Sequence, residues 1–419
     1  MKRLLGRSSD YLPVLVCLLA IFVLLLLPTG YEDAQIYQEA EHCHARVTAC
    51  DDSSIIDTGL VRAGEQRCTL LLLSGSFKGE EATGINMLNG SLEQDKLFVP
   101  GDTALVLVNQ KDGAITSVSM VDHYRLHAEL LLAGLFVALL VLFAGRTGVR
   151  ALLSVALTVL AVWKVLVPCY LRGANSVWVG LGVTLFLTVL IISLVYGFDR
   201  RAAAAVSGAA LGVLVACLMG MAFTDLFQIH GAVMSYSESL LYSGYQDLNL
   251  TRIFMASIFI GASGAVMDLA VDITSAVREV VEKKPEIGWK EAAQSGMNVG
   301  RAAMGTMTTT LLLAYSGGYI SLLMVFMAQG TPLDNILNYK YVSAEILHTI
   351  VGSFGLCTVA PFTALTSGIL LTGRRNDAKS GRKSTPILYS ASGVCFAEIT
   401  SADWQTTTQR CLDVPAVRS

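Results

Sequence analysis

Two aspartates one helical turn apart, Asp268 and Asp272, lie inside an apolar stretch of this chain over residues 253–277. A carboxylate in mid-bilayer costs roughly 2.5–3.5 kcal/mol on insertion scales, so a pair on one helix face points to a use, such as holding a cation or relaying a proton. The segment GASGAVMDLAVDITSAVRE spaces Gly261, Gly264 or Ala265, Asp268 and Asp272 three and four residues apart. Small residues and carboxylates therefore share a face, and small residues let a second helix approach closely. This face is expected to meet another helix rather than lipid.

The next apolar stretch is the expected counter-surface. SGMNVGRAAMGTMTTTLLLAYSGGY places Asn298 and Arg301 at its start, followed by Gly305, Thr306, Thr308, Thr309, Thr310, Tyr315 and Ser316. Such a helix is notched by glycine and rich in hydroxyls; the structural alternative is that its threonines bond back to their own carbonyls. The last stretch carries Glu345 and His348 near its start, then Gly352 and Gly355, and is expected to break at Pro361, freeing carbonyls that an ion or a neighbouring helix could satisfy. Glu345 and His348 fall near the outer boundary, where plain interfacial residence competes with function. The candidate pathway residues are thus Asp268, Asp272, Asn298, Arg301, Thr308, Thr309, Tyr315 and Glu345. Gly261, Gly264, Gly305, Gly352 and Gly355 are the candidate packing positions.

The elements that must position these residues are membrane helices. Of 419 residues, 53% are hydrophobic and 15% charged, the balance of a polytopic membrane protein. A net charge of -3 shows no basic excess of the kind that points to nucleic acid. A span needs about 20 apolar residues, and eight stretches qualify: 12–27, 128–143, 151–167, 177–196, 202–223, 253–277, 302–327 and 342–371. Lysines and arginines collect in alternate connections, among them Arg146, Arg150, Arg200, Arg201, Arg278, Lys283, Lys284 and Arg374, which sets both termini on the cytoplasmic side. Residues 1–30 are expected to hold a retained signal anchor, since no small-x-small cleavage site precedes Tyr31, Glu32 and Asp33. Lys164 is expected to reach the outer interface along its apolar stem.

Between residues 31 and 126 the apolar runs shorten to strand length. CTLLLLSG, GINMLNG, LFVPGDTALVLVNQKDG and AITSVSMV, separated by turn residues, predict a small extracytoplasmic β-barrel-like domain, OB-like in kind, after the first span. Cys43, Cys50 and Cys68 lie here; an outer location permits one disulfide and leaves one thiol over. His42, Cys43 and His44 are adjacent, and neighbours on a strand point to opposite faces, so they make a poor metal set. Residues 127–373 form the seven-helix membrane domain, and the polar stretch 374–419 is expected to be a disordered cytoplasmic tail.

SGSFKGEEATGINMLNG and PGDTALVLV in the outer domain, then GASGAVMDLAVDITSAVRE, SGMNVGRAAMGTMTTTLLLAYSGG and EILHTIVGSFGL, together resemble the YibE/F family of bacterial polytopic membrane proteins over residues 12–373. The resemblance implies a bacterial cell-membrane location, one outer β domain and seven further helices, and it brings no catalytic residue. It departs in TMTTTLLLAY, where the family pattern leads one to expect an asparagine among the threonines; Thr308 or Thr309 stands in its place.

Three classes of function compete. A transporter or channel for an ion or small solute, with the carboxylates as its site, is the leading expectation. The alternative is a membrane-anchored accessory protein whose outer barrel binds an envelope partner, the aspartates pairing with Arg301, Arg278 or Lys164 to hold the bundle. An enzyme is not expected: both aspartates sit on one helix, and the sequence holds no His-Glu-x-x-His, nucleophile elbow or P-loop. No cofactor is implied, and partners beyond the bilayer and the transported species are not specified.

Overall fold

The computed structural model describes residues 2–31, 40–92, 94–111 and 113–381. These fall into two compact units, one formed by the described residues up to 179 with 245–248 and the other by residues 180–244 with 249–381.

The first unit opens with helix α1 (Lys2–Leu26), followed by strands β1 (Ala40–Asp57), β2 (Arg62–Leu72), β3 (Glu81–Asn89), β4 (Thr103–Lys111) and β5 (Ala114–His123). The strands close into a barrel in the order β1-β2-β3-β5-β4, and β1 is long enough to pair with β4 through its first half and β2 through its second. Inward residues alternate along the strands, as in the β1 series Cys43, Ala45 and Val47, and meet Leu70, Leu72, Val106 and Val108 in the barrel core. β2 to β5 fall where the turn-bounded apolar runs predict them. β1 is the strand the sequence reading missed, because its second half, DDSSIID, is too polar to read as a strand.

Gln66 is fully buried inside this barrel, with every polar group used. Its Nε2 donates to Asp52 Oδ1 (2.9 Å) and to the Phe98 carbonyl (2.9 Å), while its Oε1 accepts from Phe98 N (3.1 Å) and Asn86 Nδ2 (3.1 Å). One amide thus ties the incoming β3–β4 connection to the barrel wall, since a buried polar side chain is tolerated when its partners are complete.

Beyond the barrel, α2 (Leu126–Ala161) continues through a single π turn, Val162–Leu166, into α3 (Val167–Leu171). The two spans expected at 128–143 and 151–167 lie on either side of Gly145 in this stretch. Its course changes at Gly145, whose φ of 54° and ψ of -124° belong to glycine. A Cβ on Gly148 would collide with the carbonyl of Leu140, eight residues earlier, whereas a straight helix would hold them about 12 Å apart. The chain folds back on itself there without a loop, which hydropathy alone could not distinguish from two separate helices. Lys164, expected to reach the outer interface, donates to the carbonyl of Leu27 (3.1 Å), and Arg172 donates to that of Thr29 (2.7 Å), so both cations cap the end of α1.

The second unit contains most of α4 (Ser176–Tyr196), then α5 (Arg200–Leu226), α6 (Ser237–Tyr242), α7 (Leu250–Lys283), α8 (Trp289–Ser316), α9 (Ile320–Ala328), α10 (Leu333–Asn338) and α11 (Lys340–Gly381). Among the described residues of the whole chain, six helical stretches are long and apolar enough to cross a membrane, and Tyr11–Leu26 is a shorter apolar helix. That is fewer than the eight expected, the difference lying in the pair joined at Gly145 and the short first segment. α8 passes through a 3₁₀ turn at Gly317–Tyr319 into α9. α11, by contrast, runs unbroken through Pro361, correcting the predicted break, and Val359, Ala360 and Ala364 around it are buried. α11 also stays helical through Gly381, past the predicted start of a disordered tail; residues 382–419 lie outside the described residues.

The core of this unit is built by backbone proximity. α5 buries Ala204, Gly208, Gly212, Ala216 and Gly220 at four-residue spacing, and this flat ridge receives α11 and α7. Gly208 lies against Thr363, Gly212 against Val359 and Val266, and Gly355 against Ala216. Gly296 and Gly300 of α8 fit Ile273 of α7 together with Ala364 and Ala360 of α11. Two bonds across helices fix the register, Thr366 Oγ1 to the Ala204 carbonyl (3.0 Å) and Thr274 Oγ1 with Ser367 Oγ (3.0 Å).

Gly208→Leu should therefore force α11 away from α5 and cost about 1–3 kcal/mol, read as a lower melting temperature in detergent. Gly134→Leu, at a position with open space around it, should stay within about 0.5 kcal/mol of wild type. Equal melting of the two variants would contradict the ridge.

Candidate functional site

The face of α7 that enters the bundle carries Phe254, Ile258, Ala262, Val266, Leu269, Ile273 and Val277. Asp268 and Asp272 lie on the other side and are exposed, as are Gly261 and Gly264. The expected seam between these carboxylates and α8 is not formed: α8 meets α7 at Ile273 and Val277 through Gly296 and Gly300. Gly264 and Gly305 have nothing close to them and are not packing positions, while Gly352 rests against Ala262 and Gly355 against Ala216, as expected of packing glycines. The helical face was read correctly but its direction was not, because small residues line both the buried and the exposed side of α7.

Neither aspartate makes a hydrogen bond or ion pair among the described residues. Arg278 pairs with Glu282, and Arg301 is exposed. The structural pairing that would have made the aspartates a bundle clamp is thus absent from the described side chains. Asp268 and Asp272 do act on one another electrostatically across one turn. Beside them, Tyr196 of α4 donates to the Val271 carbonyl (2.5 Å) and meets Ser275 Oγ (2.6 Å).

Along α8 the predicted hydroxyls divide. Thr306, Thr309 and Thr310 donate to the carbonyls of Ala303, Gly305 and Thr306, the back-bonding alternative, and Thr309 is exposed. Thr308 is half-buried. Asn298 is exposed and accepts from Gln294 Nε2 (3.3 Å).

The polar groups that the fold gathers lie nearer the other end of α7. His348 of α11 bonds Ser257 Oγ of α7 through Nε2 (3.2 Å), and its ring packs against Phe254 (5.1 Å between centroids) and edge-on to Tyr315 of α8 (5.6 Å). The Tyr315 hydroxyl reaches across to Gly261, where a Cβ would stand 2.7 Å from it. Glu345, one turn before His348, interacts electrostatically with Tyr315 and Tyr319. Three atoms of this cluster, Glu345 Oε1, Tyr315 Oη and Thr349 Oγ1, are buried without a hydrogen-bond partner among the described side chains and backbone.

Leaving a buried polar atom unpaired costs about 1–3 kcal/mol, and these three lie on α8 and α11. Both Glu345 and His348 face neighbouring helices, His348 through Ser257 and Phe254 and Glu345 toward Tyr315 and Tyr319. His348 and Thr349 were absent from the predicted pathway, although the Glu-x-x-His spacing placed Glu345 and His348 on one helix face. The sequence offered no sign that Ser257 and Tyr315 would meet them.

A profile of the YibE/F-like protein family matches residues 132–373, more than half of the chain and nearly all of α2 through α11. The chain belongs to the YibE/F-like family. All residues of the cluster and both aspartates fall inside the matched stretch, whereas the barrel lies outside it. No curated protein and no solved structure matches the chain.

Glu345→Met removes a polar atom that has no partner and should leave the melting temperature equal to or above wild type. Its buried neighbour Leu347 should respond in the opposite sense, Leu347→Ala costing about 2–5 kcal/mol. A Glu345→Met variant as unstable as Leu347→Ala would make the carboxylate part of the packing.

Proposed function

We propose that this protein is a membrane transporter or channel that moves a cation, the proton included, along α7. The observation that carries the reading is the trio of buried, unpartnered oxygens, Glu345 Oε1, Tyr315 Oη and Thr349 Oγ1, supplied by two helices beside a third. Oxygen ligands suit hard cations and protons, and an ionisable group inside a membrane bundle is by default a functional one.

Two polar stations then lie along one helix. Ser257 and Gly261 mark the first, with Glu345, His348 and Tyr315 around it; Asp268 and Asp272 form the second. Gly261 and Asp268 are separated by about 10 Å at about 1.5 Å per residue. The distribution of lysine and arginine supports an arrangement with both termini inside, eight passes counting the two legs about Gly145 and the short first helix, and the barrel outside. In it the Glu345 station lies toward the outer face and the aspartates toward the cytoplasm. The strand order β1-β2-β3-β5-β4, with β1 closing on β4, supports an OB-like barrel. Tyr315, held against Gly261 by lack of a Cβ, is placed to gate the outer station.

The test is flux in proteoliposomes under an imposed pH gradient or rubidium gradient. Glu345→Gln and Asp268→Asn should each lower the rate at least about tenfold, since each removes a charge stabilised only during passage, while melting stays unchanged. Wild-type protein no faster than empty liposomes, or variants that conduct normally, would defeat the proposal.

A further inference from the structure

We infer that Cys50 and Cys68 form an intrachain disulfide across β1 and β2, and that Cys43 remains a free thiol. The two cysteines are register partners in the antiparallel ladder, and their sulfurs already stand 3.1 Å apart. Opposed residues in such a ladder have Cα atoms about 4.5–5.5 Å apart, inside the range of about 4.4–6.8 Å that a disulfide spans. Closing the bond to about 2.05 Å needs the sulfurs to approach by only about 1 Å. The register breaks on both sides of the pair, between Val47 and Ala49 and between Asp51 and Ser54, leave this stretch of β1 room to adjust.

Cys43 is excluded by its place in the barrel. It is buried on the part of β1 that pairs with β4, opposite Val106, and its sulfur packs toward Gly75 and Glu41. The parity of three cysteines is thereby resolved into a pair and a structural thiol.

The chemistry needs an oxidant, and a disulfide compound supplies it. The Cys50 thiolate, on the more accessible of the two residues, attacks one sulfur of the oxidant and expels the other half as a thiol. The Cys68 thiolate then attacks the mixed disulfide at the Cys50 sulfur and expels the second thiol. Two cysteine thiols lose two protons and two electrons, and the oxidant disulfide becomes two thiols. Burial raises both cysteines above the ordinary thiol range, and Asp52 and Asp102 add to it, so closure is slow at neutral pH without a catalyst.

Formation in the cell rests on the outer-face placement of the barrel proposed above, and not on transport. Purified full-length protein in detergent is first reduced, then treated with oxidised glutathione, and its peptides are mapped by mass spectrometry. A linked peptide pair containing Cys50 and Cys68, lost in Cys50→Ser and Cys68→Ser and retained in Cys43→Ser, is the expected result. No linkage, mixed glutathione adducts alone, or a link through Cys43 would overturn the pairing. Alkylation of protein trapped in intact cells separates the two ideas: a closed pair supports both, and a reduced pair that closes readily after purification overturns the outer placement alone.

Discussion

Helix-to-helix contact at backbone distance is the constraint on which the apolar helical bundle of this protein depends. In lipid there is little hydrophobic gain from hiding one apolar helix behind another, so association rests on close packing and on bonds between helices. The α5 ridge of Ala204, Gly208, Gly212, Ala216 and Gly220 meets that requirement by offering almost no side chain. α7 and α11 settle onto it, and α8 is drawn in by its own Gly296 and Gly300. Toward the other end of α7, larger side chains such as Phe254, Tyr315 and His348 pack against one another. The polar cluster sits in this region. A carboxylate, an imidazole and a phenol come together there.

The same constraint gives the two polar stations different characters. Around Glu345 the unpartnered oxygens are buried, in surroundings that strengthen any interaction with a bound charge. Asp268 and Asp272 stand on an uncovered side of α7, where two carboxylates a turn apart repel one another and gain from any cation that comes between them. A buried station and an open acidic one suit stepwise passage better than a single deep trap, because conduction needs binding that is also easy to leave.

Much of this architecture was legible in the sequence, and the failures have physical causes. Apolar runs of span length located the long helices, and turn-bounded strands located the barrel, because both signals are local. The two spans read at 128–143 and 151–167 are joined at Gly145 by a change of course within one residue, where the sequence suggested a loop. Pro361 was read as a break, yet α11 stays helical through it. The site was half legible: Glu345 and Tyr315 were named, but the emphasis fell on Asp268 and Asp272. Periodicity reports which residues share a face and is silent about where that face points. His348 could be placed beside Glu345 by spacing alone, while its bond to Ser257, 91 residues away in sequence, is a product of tertiary packing.

The central claim is that the unpartnered oxygens of Glu345, Tyr315 and Thr349 share a small polar occupant. An experimental density map of the protein in lipid nanodiscs, at a resolution that shows ordered water, tests it most directly. The account predicts a discrete peak within hydrogen-bonding or coordination distance of at least two of the three oxygens. A dry cluster, with each of these oxygens bonded to protein, would contradict it.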